Sequence, residues 1–251
     1  MSKDKKGLSR RDFLKTTGIA TGALIGGGVL GSLITQNATK DDVAGTGKNE
    51  AGGGEYVGEV FRGRMFFTNE NEFKVLSEAV ERIFPEDELG PGAIGLGVPY
   101  FIDNQLAGNY GSNAKEYMQG PFFAGESTQG YQSRLTRAEI FRSGIAKMDE
   151  EAKKRYDTGF AALEGDQKDE IITAFQKNEI NMKGVASEFY FKLLRQATLE
   201  GAYADPIYNG NINMEGWKMK GFPGHQMAYI KEIETDKYMN IKPKSISSME
   251  H

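Results

Sequence analysis

The sequence has no cysteine and only two histidines, His225 and His251. Without thiols there can be no disulfide framework, Cys-ligated zinc, iron–sulfur cluster, CxxCH haem attachment or thiol nucleophile. A single internal histidine leaves little from which to build a multi-histidine metal site or a Ser–His–Asp scheme. No stretch alternates apolar and polar residues convincingly at period two, so the body is not read as sheet. What is present is a 251-residue chain with 39% hydrophobic and 11% aromatic residues, the composition of a folded protein.

The first forty residues read as an address. Arg10 and Arg11 are followed by Asp12, Phe13, Leu14 and Lys15, behind a basic start (Lys3, Lys5, Lys6). The order resembles a twin-arginine export signal, whose machinery, the twin-arginine translocase, carries folded passengers. From Thr16 to Thr39 there are 24 uncharged residues, with an apolar, glycine-diluted centre from Gly18 to Ile34. That layout fits a targeting peptide or an uncleaved membrane anchor, because a span needs about 20 mostly apolar residues. Residues 1–36 are therefore assigned to a signal or anchor, 37–59 to a glycine-rich linker and 60–251 to the body. The chain is expected outside the cytoplasm, in the periplasm or on the outer face of the cytoplasmic membrane.

Met1 to Ile34 hold six basic and two acidic residues, leaving 25 against 33 for the remainder, a charge of −8. An acidic body argues against nucleic-acid binding, which rests on neutralising phosphates.

The body is expected to be mainly α: a single irregular helical domain with long ordered loops. Five helices are predicted. Asn69 and Glu72 open the first, with Phe73, Leu76, Val80 and Ile83 on one face, and Pro85 ends it. A short one spans Pro99 to Leu106. Asn109 to Gln132 is expected to be irregular. Thr136 and Glu139 form a capping box for a helix to Tyr156 that buries Ile140, Phe141, Ile145, Met148 and Ala152. Asp166 is read as the cap of a helix from Gln167 to Asn178. The last runs from Val185 to Glu200, with Phe189, Leu193, Leu194 and Ala197 inward and Gly201 as its terminator. Ala202 to Gly224 is expected to be turn-rich.

Two G-x-G-x-x-G matches, at 26–31 and 90–95, are not read as dinucleotide fingerprints. Neither follows a strand, and Pro91 removes a donor from the second. Glu86, Asp87 and Glu88 lack calcium-loop spacing and are read as a solvated loop. Asp149, Glu150 and Glu151 are read as a wet helix face pairing with Lys153, Lys154 and Arg155. Asp205 before Pro206 is read as a turn starter. His225 has no partner that would make it a general base.

The blocks Phe84-Pro85-Glu86-Asp87, Gly90-Pro91-Gly92-Ala93, Gly97-Val98-Pro99-Tyr100-Phe101-Ile102-Asp103 and Gln119-Gly120-Pro121-Phe122 are distinctive. So is Thr198-Leu199-Glu200-Gly201-Ala202-Tyr203-Ala204-Asp205-Pro206, with Tyr208, Trp217 and Gly221-Phe222-Pro223-Gly224 after it. Together they resemble the gluconate 2-dehydrogenase subunit 3 family. The resemblance implies a non-catalytic accessory subunit that binds no cofactor or metal itself. Its implied partner is a large FAD-containing dehydrogenase subunit of the glucose–methanol–choline type, often with a cytochrome subunit, and the small subunit supplies the export signal. Tyr203, Asp205, Tyr208, Trp217, Phe222, Phe122 and Phe123 are candidates for the partner interface, since loop aromatics can serve as interface anchors. The alternatives are a free-standing exported carbohydrate-acting enzyme, which would need paired carboxylates, and a surface-tethered binding module.

Overall fold

The computed structural model describes residues 63–248, apart from 124, 127, 128, 131 and 231. The expected signal and linker lie outside the described residues. The described part is mainly helical, with α1 (Glu70–Ile83), α2 (Val98–Ala107), α3 (Arg137–Tyr156), α4 (Gly165–Gln176), α5 (Ser187–Tyr203) and α6 (Glu215–Lys220). Among the described residues there is no strand, only two isolated bridges.

The helices start where their caps dictate. Asn69 caps α1, its side chain accepting from Asn71 N at 2.8 Å. Thr136 and Glu139 complete their capping box at α3: Glu139 N donates to Thr136 Oγ1, and Thr136 N donates back to Glu139 Oε2. The cap of α4 differs from expectation. Glu164, not Asp166, takes the position, and its backbone N donates to Gln167 Oε1 at 3.1 Å. The reciprocal partner three residues on favours Glu164 despite its longer side chain.

Two other expectations need correction. Gly201 does not end α5, which continues to Tyr203. A Cβ at Gly201 would lie 2.8 Å from Phe101 Cδ1 and 3.1 Å from Val98 Cγ1, so this glycine lets α5 press onto the start of α2. Asp149 and Glu151 are not on a wet face but buried. The i,i+4 pairs with Lys153 and Arg155 do form, at 2.7 and 3.4 Å. Asp149 also turns inward to accept from Phe160 N at 3.0 Å and Asn71 Nδ2 at 3.3 Å, joining α3 to the following turn and to α1.

The core is centred on Tyr190, which is fully buried and was not among the residues expected to face inward; its neighbour Phe189 is only half-buried. Phe141 and Phe175 meet the Tyr190 ring edge-on at 5.7 and 5.5 Å. Burial pushes the Tyr190 phenol far up, so it stays protonated. Outside the core, Arg82 braces α1 to α4 by donating to both carboxylate oxygens of Asp169, at 2.8 and 2.6 Å.

Burial works against the Asp149 carboxylate, but the bonds from Lys153, Phe160 and Asn71 outweigh it and hold the acid below its usual range. A depressed folded value means that its stabilisation is present above about pH 4 and lost as pH falls through the folded value. Asp149→Asn is therefore expected to cost stability at neutral pH, with the difference from wild type shrinking toward zero on acidification. Urea unfolding across a pH series reads this directly. A difference that stays constant into acid would show that the charge contributes nothing.

Candidate functional site

The block from Thr198 to Gly224 is built by close backbone approaches. A Cβ at Gly210 would lie 2.3 Å from the Gly201 carbonyl oxygen, and one at Gly216 only 2.0 Å from that of Ala202. Asn209, Asn211 and Asn213 all take left-handed backbone, where a short polar side chain is tolerated. Fully buried Asn211 ties the block together: its Nδ2 donates to Ala204 O and its Oδ1 accepts from Gly216 N, both at 2.8 Å. The loop is also fixed to the chain before α2 through Ile212 N, which donates to Leu96 O at 3.2 Å.

Trp217, on α6, is buried, and its indole Nε1 donates to Tyr203 O at 2.8 Å. It serves as the internal support of the block rather than as an exposed anchor. The Phe222 ring packs edge-on against it at 5.4 Å and stays half-exposed. The Tyr203 ring is half-buried between Phe84 and the ammonium of Lys220, at 5.9 and 5.4 Å. Asp205 behaves as the expected turn starter, accepting from Ile207 N at 3.1 Å. The same carboxylate also accepts from Ser245 Oγ at 2.7 Å and Ile246 N at 2.9 Å, holding the C-terminal segment against the block. What remains on the surface is Ile207, Tyr208, Phe222 and Ile246, each about half-exposed.

Phe122 and Phe123 belong to a different segment. They sit in the segment between α2 and α3, anchored by Arg137 to Glu116 at 2.8 Å and by Ser133 to Gly184 O at 3.4 Å. Gly111 adds a third tie, accepting from Ala138 N. These anchors gather the end of α2 and the starts of α3 and α5, whereas Gly201 and Gly210 gather the start of α2 and the end of α5. The two ends are about 15 Å apart along the ten residues of α2. Phe122 is half-buried, while Phe123 and Tyr117 are exposed. Arg10, Arg11, Phe13, Leu14 and Lys15 lie outside the described residues.

The second glycine motif can be tested as a phosphate cradle. Ile94 N donates to Glu81 Oε2 at 2.8 Å, and Glu86 N to Glu81 Oε1 at 3.1 Å. Leu96 N, Gly97 N and Val98 N are spent on carbonyls of Gly92, Ile94 and Ala93. A Cβ at Gly92 would fall 1.9 Å from Glu81 Oε1. The loop is thus closed around an anion of its own chain, and a dinucleotide does not fit it. Of the neighbouring acids, Asp87 serves the turn: its Oδ1 accepts from Leu89 N at 2.9 Å, and its backbone forms a small bridge with Gly90. Among the described residues no three His, Asp or Glu side chains converge as metal ligands, and no helix is long and apolar enough to cross a membrane.

The residues missed in the sequence are Glu81, Asn211 and Asp103, whose buried carboxylate accepts from the backbone of Met65, Phe66 and Phe67. Only Asn211 had a local signal, the asparagine–glycine run at 209–213, which favours left-handed backbone.

No curated protein and no solved structure matches the chain. A family model does, gluconate 2-dehydrogenase subunit 3, over residues 70–224. The matched span begins with α1 and ends at the glycine that packs on Trp217, so it takes in all six helices and the block just described. The chain belongs to the gluconate 2-dehydrogenase subunit 3 family.

Proposed function

We propose that this chain is the small, non-catalytic subunit of an exported sugar or sugar-acid dehydrogenase. It binds the large FAD-containing subunit, of the glucose–methanol–choline type, and lends it the twin-arginine signal carried by Arg10, Arg11, Phe13, Leu14 and Lys15. The pair then works in the periplasm or on the outer face of the cytoplasmic membrane, held there if the leader is retained. The observation that carries this reading is the family match across the whole helical body. The geometry supports it in two places. Among the described residues, the loop with a nucleotide-binding pattern, 90–95, is filled by Glu81. The surface of Ile207, Tyr208 and Phe222 stands on a pre-ordered block, which lowers the ordering cost of association. Binding to the native partner also stabilises it by mass action.

The test is export of the partner. In cells making both chains, Arg10→Lys with Arg11→Lys is expected to leave the flavoprotein in the cytoplasm, folded and at unchanged total level. Undiminished export of the flavoprotein with the doubly substituted signal would overturn the escort role.

A further inference from the structure

Beyond Gly224 the chain makes an excursion and comes back. His225 N donates to Lys244 O at 2.7 Å and Lys244 N to Pro223 O at 3.1 Å, and Asp205 fastens Ser245 and Ile246 just after. The return point is tight: a Cβ at Gly224 would sit 2.2 Å from the Lys244 carbonyl oxygen and 2.6 Å from the Trp217 ring. The base of this loop is therefore part of the ordered block. Its interior is stiffened by a turn in which Glu232 N and Ile233 N both donate to Tyr229 O, at 3.1 and 2.8 Å. Yet its apolar side chains face solvent. Tyr238 is 95% exposed, Met227 86%, Ile233 80% and Ile230 78%, with Tyr229 and Met239 nearly half-exposed.

We propose that the described residues of 226–243 are an arm that clasps the dehydrogenase subunit, extending the Ile207–Tyr208–Phe222 surface into one interface. The inference rests on the small-subunit reading given above. It lies beyond the family-matched residues, so membership of the family does not assign it. Three observations carry it. At roughly 200 Å² for a side chain of this size, the six exposed residues present about 800 Å², the amount one partner contributes to a standard protein interface. A monomer rarely leaves that much apolar surface uncovered. Second, the arm springs from the block itself: its two ends meet where Gly224 closes on Lys244 O and on the Trp217 ring, against which Phe222 also packs. Third, the charges favour a protein over a lipid occupant. Glu232, Glu234 and Asp236 are balanced by Lys231, Lys237 and Lys242, so the segment carries no net charge. It lacks the basic surplus that docking on an anionic lipid surface selects. Mixed charges of this kind are common at the polar rim of a protein–protein contact.

The experiment uses the tagged full chain, produced in its own host and captured in detergent. Wild type is compared with Met227→Ser/Ile230→Ser/Ile233→Ser/Tyr238→Ser, and with Tyr117→Ser, next to Glu116 in the segment after α2. Flavin released per captured chain is measured, and the flavin-bearing polypeptide is identified by mass. The arm variant is expected to lose about tenfold or more of the co-purified flavoprotein, as loss of interface anchors does. The Tyr117→Ser variant should keep it. All the substituted side chains are exposed, so an unchanged melting curve is expected to certify folding.

Undiminished capture by the arm variant would overturn this inference and leave the small-subunit reading standing. Absence of flavoprotein from the wild-type capture would remove both. Two further results would replace the proposed occupant and so overturn it: wild type self-associating in sedimentation where the arm variant does not, or wild type binding phosphatidylglycerol vesicles several-fold better than the arm variant.

Discussion

Gly144→Ala is expected to destabilise the protein by about 3 kcal/mol, against the direction that helix propensity alone would give. Gly144 is in the interior of α3, where alanine is normally better by about 1 kcal/mol. Its added Cβ, however, would lie 2.3 Å from both Cε2 and Cζ of Tyr190, well inside contact distance. Tyr190 has nowhere to go: it is fully buried, with Phe141 and Phe175 against its ring and Met148 Sδ 3.9 Å from its hydroxyl. Overpacking of this kind costs 1–3 kcal/mol or more, and at a site this closed the upper part of that range should apply. For a body of this size the melting temperature should fall by about 8 °C. A Tyr190→Leu background supplies the control. There the cost of Gly144→Ala should shrink sharply, because the two positions are in contact and couple. If Gly144→Ala instead raised the melting temperature, the α3–α5 contact would be looser than described.

Asp103→Ala should have an effect of similar size, at the junction between the helical body and the segment leading in from the N-terminus. Asp103 is completely buried on α2. Its carboxylate accepts from three consecutive backbone N–H groups: Met65 N, Phe66 N at 3.2 Å and Phe67 N at 2.7 Å. Removing the acceptors strands donors that water reaches only if the segment peels away, and each buried unsatisfied group costs about 1–3 kcal/mol. A loss of about 3–4 kcal/mol is expected, limited by local detachment of residues 63–67. Hydrogen exchange separates the two outcomes. Amides 65–67 should lose protection first, while α3 and α5 stay protected to a greater depth. Asp103→Asn, which retains one carbonyl oxygen, should lie between wild type and Asp103→Ala. If both variants were as stable as wild type, the clamp would not be what joins the leading segment to the body.

Much of the helical framework was legible because its signals are local. The Thr136–Glu139 box and Asn69 act on backbone groups three residues away or fewer, and the apolar face of α3 repeats at helical spacing over 20 residues. α6 was not read, since six residues give no periodicity to detect. Glycines were misread where a distant chain, not the local turn, requires them: Gly201 looks like a helix stop because the approach of Phe101, a hundred residues away, has no trace beside it. The surface was legible only in part for the same reason. Tyr208, Phe222, Phe122 and Phe123 are all recognisable as loop aromatics, but only the packing of α2 on α5 reveals that the segments carrying them are anchored at opposite ends. Trp217 was conspicuous as the sole tryptophan, yet its value lies in a buried bond to Tyr203 O. The arm was overlooked because its apolar residues have ordinary composition, and only their exposure distinguishes them.

The most direct test of the account is the flavin content of the native assembly and of its parts. The complex captured through this chain should contain flavin near one per copy of the large subunit, with dehydrogenase turnover on a sugar or sugar acid. After separation, all flavin and all turnover should follow the large subunit, leaving this chain colourless and inactive. Flavin, haem or a catalytic metal held stoichiometrically by the isolated chain, or turnover by it alone, would contradict the account.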